Sequence, residues 1–327
     1  MSEINSETCD GVFHYMAAST TASLYRNGQV MMRRDADGNT AESSGVALEP
    51  HKMSVRNARL LAGDLAPTCA TNGFELVAQP LADTSLDFTD HTQVVNDYYP
   101  QCAAVVEQIT GAHAYAFDHN VRSATGKQER QRIAGGQQVQ EPAHLVHGDY
   151  TLRSAPERLQ QLTQPPSGND TLLDVLQAGE SLIADADAAG ALADGGRYSI
   201  INVWRNIDPK PVATHPLALC DGQTVVPEDL IVFEIHYTDR IGENYFAKYS
   251  PRHEMYYDPA LTRDEVVLIK QWDSAGGLAR SQGRMGDAEA GGAPCSFNFH
   301  SAFEDPNSPP DAPDRWSIEV RCMVIYP

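Results

Sequence analysis

Trp316-Ser317-Ile318-Glu319-Val320-Arg321-Cys322-Met323-Val324-Ile325-Tyr326 is the stretch on which the fold turns. In an extended chain successive side chains point to opposite faces. Arg315, Ser317, Glu319 and Arg321 therefore share one face, and Trp316, Ile318, Val320 and Cys322 the other. This strand is one of a series. Working back, short β-rich runs separated by Pro, Gly and Asp recur at 296–303, 265–272, 230–237, 198–204 and 143–146. Repeated short strands with turn chemistry between them indicate a sandwich or barrel, mostly β.

Outward from that series the pattern changes. Residues 155–193 carry Leu159, Leu162, Leu172, Leu173, Val175, Leu176 and Leu182 at mixed helical spacing around a Pro-Pro-Ser-Gly-Asn turn, which predicts helices inserted between strands. Residues 275–294 are rich in Gly and Ala and read as a mobile loop. Further upstream, residues 90–110 read as a helix with Asp90 as N-cap and Gly111 as its stop, flanked by strands at 73–77 and 112–121. Helix-like spacing also falls at 54–65. The first 45 residues are polar and mixed, and suggest an irregular arm on the surface. No internal repeat is visible.

With 327 residues the chain can form one large core with covering helices. Its net charge of -20 argues against a nucleic-acid or anionic-membrane surface, because phosphates are bound by clustered Lys and Arg. The N-terminus has neither a basic start nor an apolar run, and no stretch is long and apolar enough for a membrane helix, so a cytoplasmic location is expected. The six cysteines are scattered without a CxxC pair and read as buried free thiols rather than a zinc site or disulfide framework.

His147-Gly148-Asp149 follows an apolar run, and two ligands one residue apart can reach one metal if the chain turns at a strand end. His300, in Phe299-His300-Ser301-Ala302-Phe303, lies on a later strand. Together they would form the two-histidine, one-carboxylate face of non-haem Fe(II) oxygenases, which leaves positions open for a bidentate 2-oxo acid and dioxygen. The tripeptide by itself is weak, since about one HxD or HxE is expected by chance. A turn histidine beside a solvated aspartate is the plainer reading of it. The polar face of the last strand adds a second signal. An Arg fork grips a carboxylate and a Ser hydroxyl adds a donor, which suits Arg315 and Ser317 holding the distal carboxylate of 2-oxoglutarate, with Arg321 as the alternative. A solvated edge strand is the competing interpretation. Asn202 and Trp204 share a face by alternation and would line a barrel cavity, or else form a core Trp with a hydrogen-bonded Asn. Lys270 and Trp272 read as structural.

Several segments in one order resemble a known group: Tyr98-Tyr99-Pro100, Phe117-Asp118-His119-Asn120-Val121-Arg122, Val146-His147-Gly148-Asp149-Tyr150-Thr151, Ile201-Asn202-Val203-Trp204-Arg205, Ile269-Lys270-Gln271-Trp272-Asp273-Ser274, His300-Ser301-Ala302-Phe303 and Arg315-Trp316-Ser317. The chain resembles the fungal secondary-metabolism hydroxylase/desaturase family, which includes aspergillic-acid-type hydroxylases, gibberellin desaturases and relatives of the cephalosporin 7-alpha-methoxylase subunit. That resemblance implies a double-stranded β-helix, a cupin-like jelly roll. It also implies Fe(II) held by His147, Asp149 and His300, and oxidation of an unactivated C–H bond of a small natural product coupled to decarboxylation of 2-oxoglutarate. The outcome would be hydroxylation, desaturation or oxidative cyclisation. Phe299 stands where the family usually has Pro, and the 275–294 loop looks longer than usual.

The expected organisation is a single oxygenase domain over 1–327, with an arm and covering helices in 1–110 and the jelly-roll core in 111–327, interrupted by the helical insertion 155–193. Asn120, Arg122, Tyr150, Asn202, Trp204 and Arg205 are the candidate substrate-binding residues. The expected partners are a small molecule and dioxygen, with no nucleic acid and no membrane; a homodimer is left open. Two other classes compete: an iron enzyme of the same fold acting without 2-oxoglutarate, as an isomerase or oxidase, and a non-catalytic binding barrel. The first would have no need of Arg315-x-Ser317. Iron content and succinate production separate both from the oxygenase.

Overall fold

Alternation and burial build the centre of the molecule. In the computed structural model, which describes residues 6–327 other than 35–39, 130, 132, 135, 137, 169, 238–239 and 307, five strands form one antiparallel sheet. They are β5 (Phe74–Ala78), β6 (His113–Arg122), β8 (Tyr198–Asn206), β13 (Glu265–Asp273) and β15 (Ser317–Ile325), in the order β5-β13-β8-β15-β6. All nine residues of β8 are buried, because both faces of the sheet are covered. One cover is helical. From His91 to Thr110 the chain is continuously helical, with a π-helical turn at Val94–Tyr98, and it packs on β6 and β15. Asp90 caps it by accepting from the Thr92 and Gln93 amides, and Gly111 ends it at φ 66°, a left-handed conformation that glycine adopts without strain.

The other cover is a ten-stranded mixed sheet. It contains β1 (Thr8–Met16), β2 (Met31–Arg34), β3 (Thr40–Ser44), β4 (Leu48–Asn57), β7 (His147–Gly148), β9 (Leu217–Cys220), β10 (Leu230–His236), β11 (Ile241–Ala247), β12 (Met255–Tyr257) and β14 (His300–Ala302). Their order is β1-β4-β12-β9-β14-β7-β11-β10-β2-β3. Buried residues of both sheets, among them Ile201, Val203 and Val320 on one side and Ala218, Tyr245 and Phe299 on or beside the other, join one apolar cluster. The short central strands β14 and β7 bring His300 and His147 into register.

Three expectations are corrected. The described residues among the first 45 are not an irregular arm but include β1, β2 and β3: β1 alternates exposed and buried positions and drives Phe13 and Tyr15 into the core, where neither has any exposed surface. Residues 54–65 are not a helix but the end of β4 followed by two short 3₁₀ turns, Ala58–Leu60 and Gly63–Leu65. The 275–294 segment holds a short helix, Gly277–Arg280, and a 3₁₀ turn at Asp287–Ala290. Buried Asp287 pins it by accepting from the amides of Leu278 and Ser296 and from the Ser296 hydroxyl. The insertion is partly helical as expected, with helices Ser154–Gln161 and Asp185–Leu192. The strand expected at 143–146 is reduced to β7 just after it.

Candidate metal centre

β7 ends in Gly148, whose hydrogen faces the Phe297 ring; a Cβ there would lie 2.9 Å from it. This close approach lets the chain turn so that His147 and Asp149 face the same point. β14 pairs directly with β7 and delivers His300, whose ring centroid lies 4.4 Å from that of His147. One donor atom from each of the three residues lies within 4.8 Å of the other two, the single such group among the described residues.

The protonation states suit cation binding. Nδ1 of His147 lies 2.7 Å from the Leu145 carbonyl, which can only accept, so the proton sits on Nδ1 and Nε2 is free to coordinate. Burial, helped by the neighbouring His147, pushes His300 down to about 3, and its buried Nδ1 has no hydrogen-bond partner. Burial raises the Asp149 carboxyl, but the Arg321 guanidinium outweighs it and holds the group well below the usual range. The free Nε2 of His147, the neutral His300 imidazole and one carboxylate are thus presented together. Asp149 is also held from behind: its Oδ2 accepts from Asn202 Nδ2 at 3.1 Å and Arg321 Nη2 at 3.3 Å, and its amide donates to Gln271 Oε1 at 3.0 Å. Gln271 sits at a β-bulge between β13 and β8, which turns its side chain out of the ladder and toward Asp149.

Two spaces adjoin the ligands. A cleft of about 590 Å³ is walled by β6, β11 and the insertion, and its lining includes Asp118, Asn120, Arg122, His147, Asp149, Tyr150, Arg158, Thr171 and Arg321. A small cavity of about 20 Å³ is lined by Arg122, His147, Trp204, Leu217, His300, Ser301, Arg315 and Glu319. Arg315 is buried, donates to the His215 carbonyl and lies over Trp204, while its Nε and the Ser317 hydroxyl are buried without partners. Burial and the nearby Arg122 push Arg315 down to about 9.

The structure thus brings His147, Asp149 and His300 together and sets Arg315 beside them. Asn120, Arg122 and Tyr150 line the cleft, Trp204 lines the small cavity, and Asn202 holds Asp149. Arg321, the alternative anchor, lines the cleft and is surrounded by Asp118, Asp149 and Glu319. One expectation needs correcting. Arg205 does not face the cavity; the alternation that turns Trp204 inward turns Arg205 outward, where it donates to Tyr98 Oη and to the Gln79 and Arg263 carbonyls. Lys270 is buried against Asp273, a structural pair. Sequence reasoning assigned no role to Asp118, Thr171 or Gln271. Asp118 and Gln271 lay within segments carrying the resemblance; Thr171 gave no signal.

Two histidines and one carboxylate in this arrangement are the donor set of mononuclear non-haem iron enzymes. The chain belongs to the family described as an oxidoreductase/YMDC permease-like domain, whose model matches residues 13–325. Among the described residues no helix is long and apolar enough to cross a membrane. The Fe(II)/2-oxoglutarate-dependent dioxygenase nvfI of Aspergillus novofumigatus is 30% identical over 282 residues, 84% of each chain. The hydroxylase/desaturase efuI of Hormonema carpetanum is 26% identical over 90% of this chain and 92% of that one. A protein from Methylophilus leisingeri, described only as lying in the dcmA 3' region, is 41% identical over 62% of this chain and 92% of its own length. The solved structure of the iron and alpha-ketoglutarate-dependent endoperoxidase NvfI superposes with a TM-score of 0.73 at 24% identity over 98% of both chains, and so shares the fold.

Proposed function

We propose that this protein is an Fe(II)/2-oxoglutarate-dependent dioxygenase that oxidises an unactivated C–H bond of a small natural product in secondary-metabolite biosynthesis. The observation that carries the reading is the convergence of His147, Asp149 and His300 at the edge of a cleft large enough for such a molecule. The scaffold is read as a double-stranded β-helix of jelly-roll type in one domain over 1–327, supported by the two facing sheets and by a match to NvfI along almost the whole chain.

His147 Nε2, Asp149 Oδ1 and a His300 ring nitrogen would hold Fe(II). With Fe(II) bound there, dioxygen would be the four-electron oxidant, two electrons coming from decarboxylation of 2-oxoglutarate to succinate and carbon dioxide and two from the substrate. Arg315 and Ser317 would take the distal carboxylate, since both present buried polar atoms that nothing else satisfies. The small cavity admits little more than a water, so a five-carbon diacid requires side chains such as Trp204 and Leu217 to give way. The proteins' own groups do the rest: Asn202 and Arg321 orient Asp149, and the insertion walls the cleft. The cleft lining is mainly charged and hydrogen-bonding, with Tyr150, Asn120 and Arg158 prominent, which favours a substrate bearing several polar groups. Hydroxylation, desaturation and oxidative cyclisation all fit this site. The same reading takes dioxygen as co-substrate and a cytoplasmic location, and the charge of -20 argues against nucleic-acid or anionic-membrane partners. Homodimer formation is a matter for sedimentation.

Anaerobic titration of the apo-protein with Fe(II) and then 2-oxoglutarate tests the proposal. A visible charge-transfer band that needs both is the expected result. Iron binding without the band would favour the isomerase or oxidase reading.

A further inference from the structure

Arg321 lies on β15 and Arg315 two residues before its start, on the same side by alternation, yet their surroundings differ. Arg321 Nη1 donates to Asp118 Oδ2 at 2.9 Å, and its Nη2 reaches Asp149 Oδ2 at 3.3 Å and Glu319 Oε1 at 3.4 Å. Asp118 is held in turn by the insertion: Thr171 Oγ1 donates to Asp118 Oδ1 at 2.5 Å. A continuous chain therefore runs from the insertion to the metal-binding carboxylate, Thr171 to Asp118 to Arg321 to Asp149. The Arg321 and Asp149 side chains retain 12% and 8% exposure, so solvent screens their link little.

We propose that Arg321 is a positioning residue for the metal centre, locked by Asp118 and Thr171. This rests on the metal-site reading above. The physical reason lies in which oxygen of Asp149 is free. Oδ2 is occupied by Arg321 and Asn202, whereas Oδ1 points toward His147 Nε2 at 3.5 Å. The carboxylate is thereby presented through a single oxygen in one orientation, leaving the positions beyond it open. A guanidinium suits this task because its fork reaches Asp118 and Asp149 from different nitrogens at fixed spacing, which an ammonium cannot imitate. The insertion, which walls the cleft through Thr171, thus also acts on the geometry of the metal ligand.

The test uses Co(II) as the probe, titrated into the apo-protein without cosubstrate and followed by its visible ligand-field absorption. Arg321→Lys is expected to weaken Co(II) binding by about 10- to 100-fold and to change the band shape. Thr171→Val is expected to weaken it several-fold and Thr171→Ser to match the parent, a rescue that a purely structural role would not produce. Parent-like affinity and spectrum in a folded Arg321→Lys protein would overturn the proposal. If that variant fails to fold, identical Co(II) binding by the Thr171→Val and Thr171→Ser proteins overturns it instead. Failure of the metal-site reading shows separately, as unimpaired Co(II) binding by a His300→Ala protein, and takes this proposal with it.

Discussion

Replacing Arg315 with Met separates folding from cosubstrate binding. Arg315 is buried, and no carboxylate pairs with it among the described residues; it donates to the His215 carbonyl and lies over Trp204. Burial and the charge of Arg122 lower it from the ordinary arginine value to about 9. At about 1.4 kcal/mol for each tenfold change in proton affinity, that is a burden on the order of 5 kcal/mol on the protein without cosubstrate. Met removes the charge, keeps much of the side-chain volume and loses one hydrogen bond and a cation–π contact, each worth about 1 kcal/mol. Arg315→Met should therefore leave the apo-protein as stable as the parent or stabilise it by about 1 to 3 kcal/mol, measured by urea unfolding at pH 8. The pH dependence has a definite sign. The folded state releases the Arg315 proton at a lower pH than the unfolded chain does, so parent stability gains a contribution that rises with pH above about 9, absent from the variant. Binding should change in the opposite sense. Two charge-assisted hydrogen bonds to a carboxylate are worth about 3 to 4 kcal/mol together, so the KM for 2-oxoglutarate should rise by about 100- to 1000-fold. A destabilised variant with an unchanged KM would refute this, and would make Arg315 a core residue rather than an anchor.

His147→Ala, Asp149→Ala and His300→Ala should each abolish succinate formation while preserving the circular dichroism spectrum; substantial turnover in any of them would contradict the ligand set. Asp258 is buried, one of its carboxylate oxygens has no partner, and burial raises it to about 6 despite nearby Arg59. Its folded value lies above its unfolded one, so its favourable contribution is full below about 3.8 and is lost as pH rises through 6. Asp258→Asn should accordingly raise the melting temperature at pH 8, by the equivalent of about 1 to 3 kcal/mol, and much less at pH 4. Equal shifts at both values would show that the charge of Asp258 is not what matters.

The strands behind the site were legible as β-rich apolar runs bounded by turn residues, buried along nearly their whole length. β8, β13 and β15 are long enough for the pattern to show and sit at the centre of their sheet. β1 escaped notice although Phe13 and Tyr15 alternate correctly, because the polar composition around it masks a strand whose partner, β4, lies beyond a long connection. Short strands such as β7, β12 and β14 have too few residues to carry a period; their pairing partners define them. The three metal-binding residues were legible as types in a suggestive order. Their supports were not. Gln271 reaches Asp149 through a bulge that no local pattern announces, and Thr171 meets Asp118 only after the insertion folds over β6. Arg205 was misread because adjacency to Trp204 was allowed to outweigh the parity that separates them.

The same consideration resolves the two arginines that the last strand offered for one task. Sequence alone places Arg315 and Arg321 on one polar face, and either guanidinium could grip a carboxylate. Their neighbours decide. Three carboxylates already surround Arg321, and they raise its affinity for its proton against the cost of burial, so another anion arriving there would have to displace one of them. Arg315 has the opposite balance: its proton is held more weakly than usual, its Nε lacks an acceptor and the Ser317 hydroxyl two residues on is equally unsatisfied. A diacid whose far carboxylate meets Arg315 supplies the missing counter-charge, whereas the same diacid at Arg321 would compete with Asp149 and weaken the centre it must join. On the proposed function, charge complementarity therefore favours the first arginine for the cosubstrate and the second for the metal ligand.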